Sequence, residues 1–159
     1  MAIFMKFGDK AAGDVDTAQY KGWINVGSFQ FGSGRGIGSA TSSGGNRQGS
    51  HASVSEVTVS KNLDPASLAL WRDSLDGKLA TTVDFSFTRA DQDNSEYLHV
   101  TLWDTGVSGW SMSSGGDRPS ESVSLNFAKI ELKEITQSVD GSAATNNAVT
   151  YDLALQKAS

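Results

Sequence analysis

Two histidines, His51 and His99, and no cysteine bound the nucleophile and metal-ligand chemistry open to this 159-residue chain. Without thiols there is no disulfide framework, no thiolate metal site and no cysteine nucleophile. His51 sits at a strand start. His99 lies on a polar strand face with Tyr97, Thr101 and Trp103, and no carboxylate stands at a spacing that completes a metal set or a triad. Serines are abundant, but none occupies the G-x-S-x-G turn that exposes a nucleophile. Asp91, Asp93 and Ser95 have the alternate spacing of a calcium loop. They lack its turn glycine and its bidentate glutamate at the twelfth position, so a hairpin turn is expected instead. Gly32-Ser33-Gly34-Arg35-Gly36-Ile37-Gly38 follows a strand but fits neither glycine-rich phosphate motif and opens no helix. Glu121, Glu131 and Glu134 alternate with lysines and read as solvated strand residues. No catalytic set, metal site or cofactor is expected.

Four tryptophans, Trp23, Trp71, Trp103 and Trp110, raise one binding alternative: a β-sandwich carbohydrate-binding module with Trp103 and Trp110 as a stacking pair. Packing within the sheet or against another subunit suits them better, because no compact aromatic platform falls on one face. A serine hydrolase, the other rival, lacks any base placed near a serine.

Alternating apolar residues mark the elements that position these groups. Strands are expected at 2–7, 23–31, 53–61, 82–89, 96–103, 107–113, 121–134 and 149–155. The strand at 82–89 has a dry face, Val83, Phe85 and Phe87, and a wet one, Asp84, Ser86 and Thr88. In 121–134 the apolar parity changes from Val123, Leu125 and Phe127 to Ala128, Ile130 and Leu132, which calls for a bulge or sharp coil near Ala128. One helix interrupts the strands, from Leu63 to Gly77. Asp64 caps it, Pro65 fits its first turn, and Gly77 tolerates positive φ beyond its end. Leu68, Trp71 and Leu75 share one face and should dock on the sheet, leaving Leu70 on the far side. The expected architecture is mainly β: a small antiparallel barrel of about eight strands in two sheets with one short α-helix, as a single domain over 1–159.

The 18 acidic and 13 basic residues leave a net charge of -5, which disfavours a nucleic-acid partner. No apolar run approaches the ~20 residues that span a bilayer. The N-terminus lacks a basic, long-apolar secretory signal, so synthesis in the cytoplasm is expected, with any export by a route needing no cleavable signal.

Several stretches resemble the haemolysin-coregulated protein (Hcp) family, the tube subunit of bacterial type VI secretion systems. They are Ile3-Phe4-Met5-Lys6-Phe7-Gly8-Asp9, Trp23-Ile24-Asn25-Val26, Ser28 to Gly32, the Gly/Ser-rich loop and the strand–helix unit Val57 to Leu75. The most specific is Val107-Ser108-Gly109 with Ser113 to Phe127. The resemblance implies a non-enzymatic homo-hexameric ring that stacks into a tube. The tube would lie inside a contractile sheath, carry a spike protein and hold small effectors in its lumen, and it would leave the cell on contraction. A ring needs two unlike patches per subunit. Within that picture Ser28 and Gln30 are candidate lumen residues. Arg35, Ile37 and Arg47, in the long 32–50 loop, are candidates for ring–ring contact. Leu70, Asp117 and Arg118 are candidates for contact between neighbouring subunits.

Overall fold

The computed structural model describes residues 1–38, 49–91, 93–137 and 145–159. Among them are twelve strands, one 3-10 turn (18–20) and one α-helix. The strands are β1 (Ala2–Phe7), β2 (Ile24–Val26), β3 (Ser28–Gln30), β4 (Ser33–Gly34), β5 (Ser53–Val54) and β6 (Val57–Asn62). After helix α1 (Ser67–Asp76) come β7 (Thr81–Thr88), β8 (Glu96–Ser113), β9 (Ser120–Asn126), β10 (Lys129–Thr136), β11 (Thr145–Asp152) and β12 (Lys157–Ala158). All named pairings are antiparallel. The mainly β antiparallel fold with one short helix agrees with the sequence reading, with more strands than expected.

The expected strand 23–31 bends at Gly27. Ile24 and Val26 point inward before it, and Phe29 turns inward after it against Phe85 and Phe87, so the parity flips. β2 therefore pairs with β1 and β3 with β6, and this bent strand joins two sheets. The parity change expected near Ala128 is also real: the strand breaks after Asn126, so β9 pairs with β6 and the second half of β8, while β10 pairs with its first half. Conversely, the turn expected at 104–106 is a bend inside one 18-residue strand, with Asp104 at φ 51°. β8 thus also crosses from one sheet to the other. Through these bends β1, β2–β3, β6, β9, β8 and β7 close into a barrel, and β10, β11 and β12 extend one sheet beyond it.

Met5, Phe7, Ile24, Val59, Val83, Phe85, Val100, Leu102, Val123 and Leu125 fill the interior. The face expected to be wet on β7 is covered over part of its length: Ser86 and Thr88 are fully buried, while Asp84 stays partly exposed. Tyr20, on the 3-10 turn, stacks on Phe4 with ring centroids 4.7 Å apart and places its hydroxyl 2.8 Å from Ser86 Oγ. Gly13 anchors that covering segment, because a Cβ there would lie 2.3 Å from the Trp23 carbonyl oxygen.

The helix corrects the sequence reading. It starts at Ser67, although Asp64 does cap its approach: Ala66 N–H donates to Asp64 Oδ1 at 2.9 Å. Its docked side is the reverse of the expected one. Leu70 is 0% exposed among the core residues, whereas Leu68 and Leu75 are about 70% and 68% exposed and Trp71 45%. Leu70 is therefore no candidate for a subunit contact. The reason is geometric: Ala66, Ser67 and Leu70 face the barrel because Ser67 is held by buried polar groups there. Gly77 has φ −66°, not the positive value expected. It is needed for space, since a Cβ would lie 2.4 Å from the Asp73 carboxylate.

Candidate interaction surfaces

The outward face of the sheet formed by β3, β6, β9 and the second half of β8 carries rows of small neutral polar groups. Register places Ser28 beside Ser60, Ser60 beside Ser122 and Ser122 beside Ser111. The next row runs Gln30, Thr58 and Ser124. Strand alternation produces this face, because Val57, Val59, Val123 and Leu125 take the inward positions. Ser28 and Gln30 are exposed within it, and Ser28 Oγ lies 2.6 Å from Ser60 Oγ. No charged side chain belongs to these two rows, and Glu56, which accepts from Ser108 Oγ, borders the second.

From the end of β3 the chain leaves as an extended hairpin. Gly32 and Ser55 bond through backbone and side chain at its base, β4 pairs with β5, and Gly36 and Ser50 bond reciprocally farther out. Ile37 bridges to Gly49 and is 53% exposed. The Arg35 guanidinium lies over Gly49, 3.4 Å from where a Cβ would be. Arg47 lies outside the described residues.

Asp117 and Arg118 occupy the turn between β8 and β9, beside the approach to α1. Arg118 Nε donates to the Leu63 carbonyl at 2.7 Å, and its Nη2 pairs with Asp14 at 3.5 Å. Both Asp117 and Arg118 are exposed. The structure therefore sets the candidate residues in separate places: Ser28 and Gln30 on a sheet face, Arg35 and Ile37 on a projecting hairpin, Asp117 and Arg118 at a turn.

Two polar clusters escaped the sequence reading. In the first, Glu121, expected to be solvated, is 2% exposed. Its Oε2 accepts from Lys61 Nζ at 2.8 Å and Ser67 Oγ at 2.6 Å, and its Oε1 accepts from Trp110 Nε1 at 2.7 Å. In the second, His99 does have carboxylate partners: Nε2 lies 3.0 Å from Asp84 and Nδ1 2.8 Å from Glu96. The hydrogen bond to Asp84, then that to Glu96, lifts the His99 pKa from 6.5 to about 9 against the pull of burial. Burial pushes Asp84 and Glu96 upward, but hydrogen bonding to His99 and its charge leave both below their ordinary values. Each ring nitrogen is committed to a carboxylate, which makes the group an imidazolium crosslink and not a general base. Among the described residues no acidic or histidine cluster has the arrangement of a metal site.

The tryptophans fall in three separate places. Trp71 packs on Trp110 with ring centroids 5.9 Å apart, Trp103 receives Lys129 on its face at 4.8 Å, and Trp23 meets Tyr20 edge-on. The Trp103–Trp110 platform needed by the carbohydrate-binding alternative does not form.

Residues 4–133 match the family model described as "Type VI secretion system effector, Hcp". Among solved structures, the chain is similar to one described as a type six secretion system protein, with TM-score 0.88 and 23% identity over 99% of both chains. Hcp1 of Salmonella typhimurium aligns with TM-score 0.79 and 22% identity over 99% of this chain and 98% of that one. A type VI secretion system effector of Yersinia pestis gives 0.72 and 22% over 94% and 98%. No curated protein matches in sequence.

Proposed function

Because the chain belongs to the Hcp family of type VI secretion tube proteins, we propose that six copies close into a ring and that rings stack into an effector-carrying conduit. The observation that carries this reading is the family match over 4–133, which takes in the barrel, the hairpin and the helix together. The family's role is structural, and export through the secretion machine goes with it. The sheath, the spike and small effectors in the lumen are the partners this role calls for. Synthesis and assembly take place in the cytoplasm, and ejection requires no cleavable signal.

The surfaces suit that role. The neutral Ser/Thr/Gln rows around Ser28 and Gln30 have the character of a wet lumen wall, able to hold varied cargo weakly. The hairpin bearing Arg35 and Ile37 offers an exposed cation and an exposed apolar side chain to a neighbouring ring, a contact to which we also assign Arg47. Asp117 and Arg118 retain exposed donors and acceptors for a neighbouring subunit. Negative-stain microscopy of the purified chain, with its mass by light scattering, tests the reading. Rings of six subunits are expected; a strict monomer at high concentration overturns it.

A further inference from the structure

Helix α1 presents an apolar ridge to solvent, Leu68, Trp71 and Leu75, and Trp71 continues it onto Trp110 and toward the exposed Met112 two residues along β8. An exposed patch of this composition is of the order of a few hundred Å², the size that marks an interaction site. The same chain carries an apolar groove of about 260 Å³, lined by Phe31, Val54, Ile130, Leu132, Val149 and Tyr151. Val149 on its rim is 63% exposed. The two features lie on different elements, and no helix residue lines the groove. Register puts the start of the helix at the Asn62–Ser120 end of the β6–β9 pair, through Lys61, Ser67 and Glu121, and its later half follows β8, where Asp73 accepts from the Val107 N–H at 2.8 Å. The groove lies past the Val57–Leu125 end, where β3 runs out to Phe31 and β9 gives way to β10.

The ridge and the groove do not meet within one chain. They are the unlike surfaces that a head-to-tail contact requires. Resting on the ring reading above, we infer that the groove between the hairpin base and the β10–β11–β12 extension receives the Leu68–Trp71–Leu75 ridge of a second copy. A stable interface buries roughly 800 Å² per partner, so an apolar centre of a few hundred Å² needs a polar rim around it.

The cysteine-free sequence makes a direct test possible. Leu68→Cys and Val149→Cys are introduced together and singly, and each protein is treated with a short bis-maleimide at a concentration where microscopy shows rings. The double variant is expected to give a ladder of covalent multimers on denaturing gels, while each single variant stops at dimers. A ladder ending at six places the contact around the ring, and a longer one places it between stacked rings; both support contact between copies. Rings by microscopy with only monomers or dimers from the double variant overturn the inference and leave the ring reading intact. Absence of rings in the unmodified chain sinks both. As a check independent of cross-linking, Leu68→Lys and Val149→Asp should each disperse the assembly and together restore it, with subunit melting temperatures unchanged. Dispersal by both single changes without mutual rescue counts against direct contact.

Discussion

Lys61 Nζ and Glu121 Oε2 lie 2.8 Å apart on directly paired positions of β6 and β9, and both side chains are wholly buried. The pair is closed on every side: Lys61 also donates to Asp64, Ser67 and the Asn62 carbonyl, and Glu121 accepts from Ser67 and Trp110. Ser67 opens α1, so this network joins the start of the helix to the sheet.

Losing Lys61 strands the Glu121 carboxylate without its cation, whereas losing Glu121 leaves Lys61 paired with Asp64 at 2.8 Å. Lys61→Met is expected to cost ~3–5 kcal/mol in urea unfolding and Glu121→Leu less, and the double change should cost less than the sum of the two. Additive losses would show that the two groups act separately.

His99 sets an alkaline limit on stability. Its folded pKa, about 9, lies above the unfolded 6.5. The stabilisation it brings is complete below pH 6.5 and is lost as pH rises toward 9. That rise corresponds to ~3 kcal/mol, of which solvent screening of a quarter-exposed ring leaves ~2. Asp84 and Glu96 act oppositely: their pKa values are lowered from 3.8 and 4.5, so their contribution holds above those values and fades as acid titrates them. Unfolding free energy should therefore peak between about pH 4.5 and 6.5 and decline to pH 9, and His99→Gln should flatten that alkaline slope. An unchanged slope in His99→Gln would remove His99 from the account.

The two sides of α1 should answer differently to substitution. Leu70→Ala empties a fully buried site and is expected to cost ~2–5 kcal/mol. Leu75→Asp, on the exposed side, should change subunit stability by no more than ~0.5 kcal/mol yet shift the light-scattering mass downward. A large stability loss in Leu75→Asp would return that side to the core.

Most of the barrel was legible because one buried face imposes period-two alternation: Val83, Phe85 and Phe87 declare their strand, and the change after Phe127 declares its bend. The helix was misread for a physical reason. It has two apolar sides, and the larger side chains, Leu68, Trp71 and Leu75, lie on the exposed one, so periodicity selected the wrong docking face. Lys61 and Glu121 are 60 positions apart, and nothing local marks their pairing. Glu96 shares the parity of Leu98 and Val100, which would turn it inward. A register irregularity opposite Phe87 and Thr88 accompanies its meeting with His99. Ser28 and Gln30 were readable as a polar half-face, but the serine rows became visible only once register aligned four strands.

Ile37→Asp tests the hairpin. The side chain is largely exposed and its neighbourhood is held by backbone bridges, so the subunit should keep its melting temperature. Ring stacking should weaken, seen as shorter tubes or isolated rings in negative stain. Tubes of undiminished length would take Ile37 out of the ring–ring contact.

Gln30→Arg tests the neutral sheet face. Gln30 is exposed beside Thr58, and the row through it carries no charge, so one arginine per subunit leaves the fold within ~0.5 kcal/mol of the parent. In a closed ring the change installs a band of like positive charge on the lumen wall, at spacings where screening by ~0.15 M salt is incomplete. Basic cargo should then be lost and acidic cargo held more tightly, read by co-purification of effectors with intact rings at two salt concentrations. If retention is the same as in the parent at low salt, the Ser28–Gln30 face does not line the lumen, and the surface to test becomes the one where register sets Lys6 beside Asp84 and Lys133 beside His99 across β1, β7, β8 and β10.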